Sequence, residues 1–261
     1  LKDIINSEAP EIIKKTNIAQ PYIFSVSYCY GIEAINNLGN PAALIGHSLG
    51  EYTALCLSGY LDYKDALKVI AVRGEEMHKA VENSNTTMAA VLTGDLEATI
   101  EEIEKLNNQG IQIWISNFND PSQIVISSYI DDMNYLKSNP KALGAKRVIP
   151  LEVAGAFHTE IVSSAKKPLE DTLNSIDISE GKIPVYMNVD AKKVEVSTLK
   201  ESLVNQIDNS VLFNQQIEFV NNDIDPDLWC HIGPGNVTAG MVRKSISYKD
   251  LKVINSLESS K

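Results

Sequence analysis

Ser48 stands in Gly46-His47-Ser48-Leu49-Gly50-Glu51, a G-x-S-x-G pattern between a short apolar segment (Ala42 to Ile45) and an apolar helix. A serine hydroxyl is a weak nucleophile until a neighbouring base takes its proton. In a turn this tight, glycines two residues to either side are expected to let strand and helix pack without a Cβ between them. The hydroxyl then projects at the strand's carboxyl end, beside the positive end of the helix. The backbone N–H of Leu49 is placed to donate to a tetrahedral oxyanion. The same residues also suit a serine that merely caps the helix.

A nucleophilic serine needs a general base within hydrogen-bond reach. Four histidines are available. His47 is adjacent to Ser48 and leaves the turn in another direction, so a supporting role is expected. His78 sits near the end of a long helix beside Lys79, where it is expected to face solvent. His231 lies within Leu228 to Ile232, expected as a buried strand with a satisfied histidine. His158 follows Val153-Ala154-Gly155-Ala156-Phe157, a small-residue loop of the kind where active-site residues concentrate. Elimination favours His158 as the base. No acid upstream of His158 is marked out as its orienting partner, and a backbone carbonyl would fix the imidazole tautomer equally well.

Arg73 is one of three arginines, with Arg147 and Arg243. A guanidinium fork grips a free carboxylate through two parallel charge-assisted bonds. Spacing alone serves equally well a helix-surface arginine paired with Glu76.

These residues must be held by an α/β chain. Helices are expected over Gln20 to Leu38, from Leu49 to Leu57, and from an Asp62 cap to about Ala80 with Leu67, Ile70, Ala71 and Met77 at helical spacing. Strands and helices then run Met88 to Leu92, Leu96 to Leu106, Ile111 to Asn117, Gln123 to Ser127, Tyr129 to Lys137 and Lys146 to Pro150. That β-α-β-β-α-β order is a ferredoxin-like pattern, expected as a small subdomain over residues 86–150 inserted into a large subdomain of residues 1–85 and 151–261. The large part resumes with a helix from Glu160 to Leu173, a strand at Ile183 to Met187 and helices near Thr198 to Gln206 and Gln215 to Val220. A last strand at Leu228 to Ile232 leads through Gly233-Pro234-Gly235 to a helix over Val237 to Ser245, and a polar tail follows Leu257.

Composition sets the limits. The 261 residues carry 23 Lys+Arg against 34 Asp+Glu, a formal charge of −11, with 44% hydrophobic and 22% charged residues. That is a globular composition, and the acidic excess argues against a nucleic-acid binder. No apolar run approaches the roughly 18 residues of a membrane span, and no signal peptide is expected. Cys29, Cys56 and Cys230 are too scattered for a disulfide framework or a thiolate metal site, which fits a reducing cytoplasm. No metal or cofactor is expected.

Gly46-His47-Ser48-Leu49-Gly50-Glu51-Tyr52 resembles the elbow of malonyl-CoA:acyl-carrier-protein transacylases and of the acyltransferase domains of polyketide synthases. Gln20-Pro21 before the elbow, Arg73-Gly74 after it, Asn117-Phe118-Asn119, Ala156-Phe157-His158, Asn188-Val189-Asp190, Gln206 and Gly233-Pro234-Gly235 follow in the family's order, across nearly the whole chain.

The resemblance implies an α/β-hydrolase-like large subdomain with a parallel sheet. It implies ping-pong transfer of malonyl from malonyl-CoA through Ser48 to the pantetheine thiol of an acyl carrier protein. His158 would be the base, the Gln206 carbonyl its support and Arg73 the holder of the malonyl carboxylate. Phe157 resembles the malonyl-selective form of its motif. The expected site is thus Ser48, His158, Leu49 and Gln206 for catalysis, with Arg73, Gln20, His47, Phe157 and Asn117 for substrate. An acidic carrier would have to dock on local basic doublets such as Lys166-Lys167, Lys192-Lys193 or Arg243-Lys244, although such doublets are usually solvated surface. Family members carry an upstream strand ending in Gly-Gln-Gly, whose glutamine N–H is a second oxyanion donor. Leu1 falls after it, so the expectation is a fragment or another segment completing the site. Two other readings share the pattern: an acyl hydrolase acting on carrier-bound groups, and a non-catalytic carrier-docking module.

Overall fold

The computed structural model describes residues 15–259. Helix α1 (Thr16–Leu38) begins a turn before Gln20, because Pro21 lies inside the helix and not at its start. The missing proline N–H forfeits one bond of the ladder without ending it. The sequence suggests a short buried strand over Ala42 to Gly46; strand β1 is only Leu44–Ile45, and both residues are half-buried. Helix α2 (Leu49–Ser58) follows the elbow and stops at Gly59, whose φ of 88° is the left-handed conformation glycine reaches freely.

Helix α3 (Tyr63–Val81) is capped by Asp62, whose side chain accepts from the Lys64 and Asp65 N–H groups. Its buried stripe is Ala66, Val69, Ile70, Arg73, Gly74 and Met77, three and four residues apart. Of the expected stripe, Leu67 is half-buried and Ala71 exposed. Arg73 therefore occupies a core position of the helix.

Strand β2 (Thr86–Leu92), helix α4 (Leu96–Asn108), strands β3 (Ile113–Asp120) and β4 (Gln123–Tyr129), helix α5 (Ile130–Ser138) and strand β5 (Arg147–Pro150) follow. The strands form one antiparallel sheet in the order β3-β4-β2-β5. Ile103 and Leu106 of α4 and Met133 and Leu136 of α5 pack on Ile124 and Ile126 of β4 to make a separate core. A bulge between Ile115 and Asn117 bends edge strand β3. There the Phe118 N–H donates to the Val211 carbonyl at 2.8 Å and the Val211 N–H to the Ser116 carbonyl at 2.9 Å, joining this sheet to the rest of the chain.

The single helix expected over Glu160 to Leu173 is two: a 3-10 turn (Glu160–Ala165) and α6 (Lys166–Asn174). Pro168 explains the break, since in the first turn of α6 its missing N–H needs no partner. Strand β6 (Val185–Tyr186) is shorter than expected and pairs in parallel with β1, Leu44 opposite Val185 and Ile45 opposite Tyr186. Helices α7 (Val196–Asn205) and α8 (Phe213–Ile224), strand β7 (Leu228–Ile232) and helix α9 (Val237–Ser245) lead to β8 (Asp250–Ile254). The sequence reading did not foresee β8, which pairs in parallel along the whole of β7. Strand β7 is not the buried strand expected either, because Leu228 and Cys230 are exposed. Leu55, Ile70, Leu169, Leu173, Val185 and Leu199 share the main core. No helix among the described residues is long and apolar enough to cross a membrane.

Candidate active site

The elbow is built by close backbone contact. A Cβ on Gly46 would lie 2.0 Å from the Gly50 carbonyl carbon, so only glycine fits there. Gly50 is different: a Cβ there meets nothing within 4 Å, so the expectation of steric need at both glycines holds only for the first. Ser48 is left at φ 51°, ψ −104°, a conformation costly for any residue with a side chain. Asn188 braces it from 140 residues away, its Oδ1 accepting from the Ser48 N–H at 2.8 Å and its Nδ2 donating to the Gly46 carbonyl at 2.6 Å.

His158 also has positive φ, at 59°, and is 6% exposed. Its Nδ1 lies 2.8 Å from the Gln206 carbonyl and its Nε2 2.8 Å from Ser48 Oγ. A carbonyl only accepts, so the proton sits on Nδ1 and Nε2 is free to accept from the serine hydroxyl. Burial above all, and then the Arg73 charge, push the imidazole down to about 3, which keeps it neutral with the Nε2 lone pair open to the serine proton.

Arg73 is 1% exposed. Its Nη2 donates to Ser48 Oγ at 2.9 Å and to Gln206 Oε1 at 2.8 Å, and its Nη1 to Gln20 Oε1 at 2.5 Å. It is no surface arginine paired with Glu76, whose partner is Lys79. The guanidinium also lies over the Tyr52 ring, 5.5 Å from its centroid.

Gln206 does more than the sequence suggested. Besides its carbonyl, its Nε2 donates to the Ser48 carbonyl at 3.0 Å and to Glu51 Oε2 at 2.6 Å. Glu51, fully buried, also accepts the Asn188 N–H on Oε1 at 2.5 Å. Burial drives its carboxyl up to about 8 against these donors and Arg73. Glu51 and Asn188 stand in motifs that carry the family resemblance, but neither was given a role from sequence. The available signal was an acid in the first turn of an otherwise apolar helix.

Eight of the nine expected residues line one cleft of about 960 Å³: Ser48, Leu49, His158, Arg73, Gln20, His47, Phe157 and Asn117; Gln206 lies behind it, against His158 and Arg73. His47 sits beside the nucleophile, its Nε2 2.9 Å from Asn119 Oδ1 and its ring edge-on to Phe213, and so ties the elbow to β3. The other two histidines differ from expectation. His78 is half-buried, and His231 is half-buried with its Nδ1 2.6 Å from Thr238 Oγ1. Lys166, Lys167 and Lys244, from the basic doublets, pair with Asp208, Asp171 and Asp120 of this chain. Among the described residues no group of three His, Cys, Asp or Glu is placed to hold a metal ion. The arrangement provides a nucleophile with its base, a helix N-terminus beside the reacting atom, and a buried cation 2.9 Å from it.

Residues 1–258 match the family described as acyl transferase domain. The malonyl CoA-acyl carrier protein transacylase of Bacillus subtilis is 36% identical over 243 residues, which are 92% of this chain and 76% of that protein. A solved malonyl-transacylase in complex with a type II PKS acyl-carrier protein superposes with TM-score 0.89 at 29% identity, covering 97% of this chain and 82% of that one. The solved structure of MCAT from Streptococcus pneumoniae gives TM-score 0.88 at 30% identity, over 97% of this chain and 82% of that one.

Proposed function

Because the chain belongs to the acyl transferase domain family, we propose that it moves a malonyl group from malonyl-CoA to the phosphopantetheine thiol of an acyl carrier protein through an acyl-Ser48 intermediate. The carrying observation is the buried Arg73 guanidinium 2.9 Å from Ser48 Oγ. An acyl group esterified to that oxygen brings a carboxylate two carbons away within reach of a fixed fork, and a malonyl half-thioester has such a carboxylate.

In the first half-reaction the Ser48 hydroxyl gives its proton to His158 Nε2 while Oγ attacks the thioester carbonyl carbon. The charge on the carbonyl oxygen develops beside the Leu49 N–H at the start of α2. The C–S bond breaks and the CoA sulfur takes the proton from His158. The carrier thiol then loses its proton to the same nitrogen and attacks the ester, and Ser48 Oγ leaves with that proton. The Gln206 carbonyl holds the imidazole through both halves. Phe157 narrows the cleft against an α-methyl branch, a preference of about 1–3 kcal/mol for a single methyl.

The same reading takes residues 86–150 as a ferredoxin-like insertion in an α/β-hydrolase-like unit of residues 1–85 and 151–261. The β-α-β-β-α-β order from β2 to β5 supports it. Residues 1–14 and 260–261 of that division lie outside the described residues. The three free cysteines suit a reducing cytoplasm.

Intact mass after incubation with malonyl-CoA tests the proposal. A malonyl adduct that is absent from Ser48→Ala and disappears on adding holo carrier protein is the expected result. Rapid hydrolysis of acetyl thioesters with no malonyl adduct would make the protein a hydrolase, and no adduct from either would leave a docking module.

A further inference from the structure

Glu51 is buried at the centre of the site, yet it touches none of the reacting atoms. Its two oxygens each accept a hydrogen bond, Oε1 from the Asn188 backbone N–H and Oε2 from the Gln206 amide nitrogen. On the far side of that amide, Gln206 Oε1 accepts from Arg73 Nη2, which can only donate. The orientation of the Gln206 amide is therefore decided by its neighbours, nitrogen towards Glu51 and oxygen towards Arg73. The same Nη2 reaches Ser48 Oγ, so the amide oxygen is one of the points that aim the fork at the acyl site.

We propose that Glu51 is a positioning residue for substrate selection: by fixing the Gln206 amide it holds Arg73 aimed at a carboxylate on the Ser48-bound acyl group. This rests on the acyl-transfer reading above. The relay is directional. A glutamine at position 51 must turn its oxygen to the Asn188 N–H, because that donor has no alternative form. Its own NH2 then faces the Gln206 NH2, and the Gln206 amide either stays with two donors opposed or rotates, giving up the Ser48 carbonyl and presenting its NH2 to Arg73. Both ways two donors oppose each other, and the guanidinium loses a fixed acceptor and turns from Ser48. The His158 contact is spared, since it uses the Gln206 backbone carbonyl. Selectivity and basic catalysis are thus separable at this residue.

The experiment offers malonyl-CoA and acetyl-CoA in competition to Glu51→Gln and Gln206→Met, with loading on Ser48 read by intact mass and folding checked by thermal melt. The expected result is a malonyl-to-acetyl ratio lower by about tenfold or more in both variants, the scale of losing a bond to a charged group. In Glu51→Gln the loss should fall chiefly on the KM for malonyl-CoA; in Gln206→Met, which also releases the Ser48 carbonyl, loading of both thioesters slows but that of malonyl falls further. A Glu51→Gln/Gln206→Glu double variant, which restores an acceptor opposite Arg73, recovers part of the ratio. Gln206→Met removes both hands of the relay without touching Glu51, so it decides the matter if Glu51→Gln does not fold. An unchanged ratio in the folded variants, with both substrates slowed equally, overturns the proposal and leaves malonyl transfer standing. A wild-type protein that takes no malonyl group overturns the functional reading instead.

Discussion

Ser48 and His158, 110 positions apart, meet at 2.8 Å with both backbones at positive φ, 51° and 59°. Neither is glycine, so both turns carry strain that the surroundings must hold. Asn188 and the Gln206 side chain hold the serine turn. The imidazole is held by the Gln206 carbonyl, while Thr159 Oγ1 donates to the Ala156 carbonyl beneath the His158 loop. Replacing the base with alanine is expected to slow acyl loading by about 10²–10⁴-fold, the usual share of a positioned general base. Stopped-flow loading with mass detection checks this, and loading at the wild-type rate would remove His158 from the mechanism.

Arg73→Ala should slow malonyl loading far more than acetyl loading. Its guanidinium is buried and makes three side-chain bonds, to Gln20, Ser48 and Gln206. Losing a bond from a charged group costs roughly 1.5–3 kcal/mol, so the malonyl rate should drop on the order of 10–10²-fold below the acetyl rate. Arg73→Lys is expected to recover little, because an ammonium cannot reproduce the fork. Equal losses for both thioesters would deny Arg73 any contact with a carboxylate.

The pH dependence has a definite sign. Burial and Arg73 hold the folded His158 down to about 3, whereas an unfolded histidine titrates near 6.5. The folded chain thus binds fewer protons than the unfolded chain between those values. The associated stability is fully present above pH 6.5 and is lost as pH falls towards 3. A melt at pH 7.5 and at pH 5 should therefore show a larger fall in Tm for wild type than for His158→Asn. The acidic limb of acetyl loading should lie well below 6.5 and move up in Arg73→Ala, which removes the repelling charge. Coincident falls in Tm and a limb at 6.5 would both contradict a buried neutral imidazole.

The sequence points to the two residues that meet because each sits in a local context that chemistry explains: a serine on a glycine turn, a histidine on a small-residue loop. The roles of Glu51 and Asn188 stayed hidden for the opposite reason. Their meaning lies in partners 137 and 140 residues away, which no local pattern carries. Arg73 was readable in principle, since it falls three residues after Ile70 and four before Met77, on the face of α3 that packs inward. Strand β8 escaped because Asp250 and Lys252 alternate with Leu251 and Val253 over only five residues, a half-buried pattern that a polar surface segment shares. The break after Glu160 had a signal in Pro168, which costs a helix one bond in its interior and none in its first turn, where it stands in α6.

The two elbow glycines should answer alanine in opposite ways. At Gly46 the new methyl would sit 2.0 Å from one backbone atom of Gly50 and 2.1 Å from another, and neither can move without unwinding the start of α2. Overpacking of this kind costs about 1–3 kcal/mol even where flexible side chains absorb it, and here backbone must. For a chain of this length each kcal/mol lowers Tm by roughly 2–4 °C, so Gly46→Ala should melt several degrees lower or fail to fold. Gly50→Ala places its methyl in open space in the first turn of α2, where alanine is favoured over glycine by about 0.5–1 kcal/mol. Its Tm should hold or rise slightly. Because Gly50 lines the cleft beside Ser48, that variant should instead lose loading rate as the methyl crowds the acyl group. Differential scanning fluorimetry beside the loading assay separates the two effects. Equal Tm losses at both positions would mean that the pattern's second glycine is held by contacts in the backbone of α2 and not by access to the nucleophile.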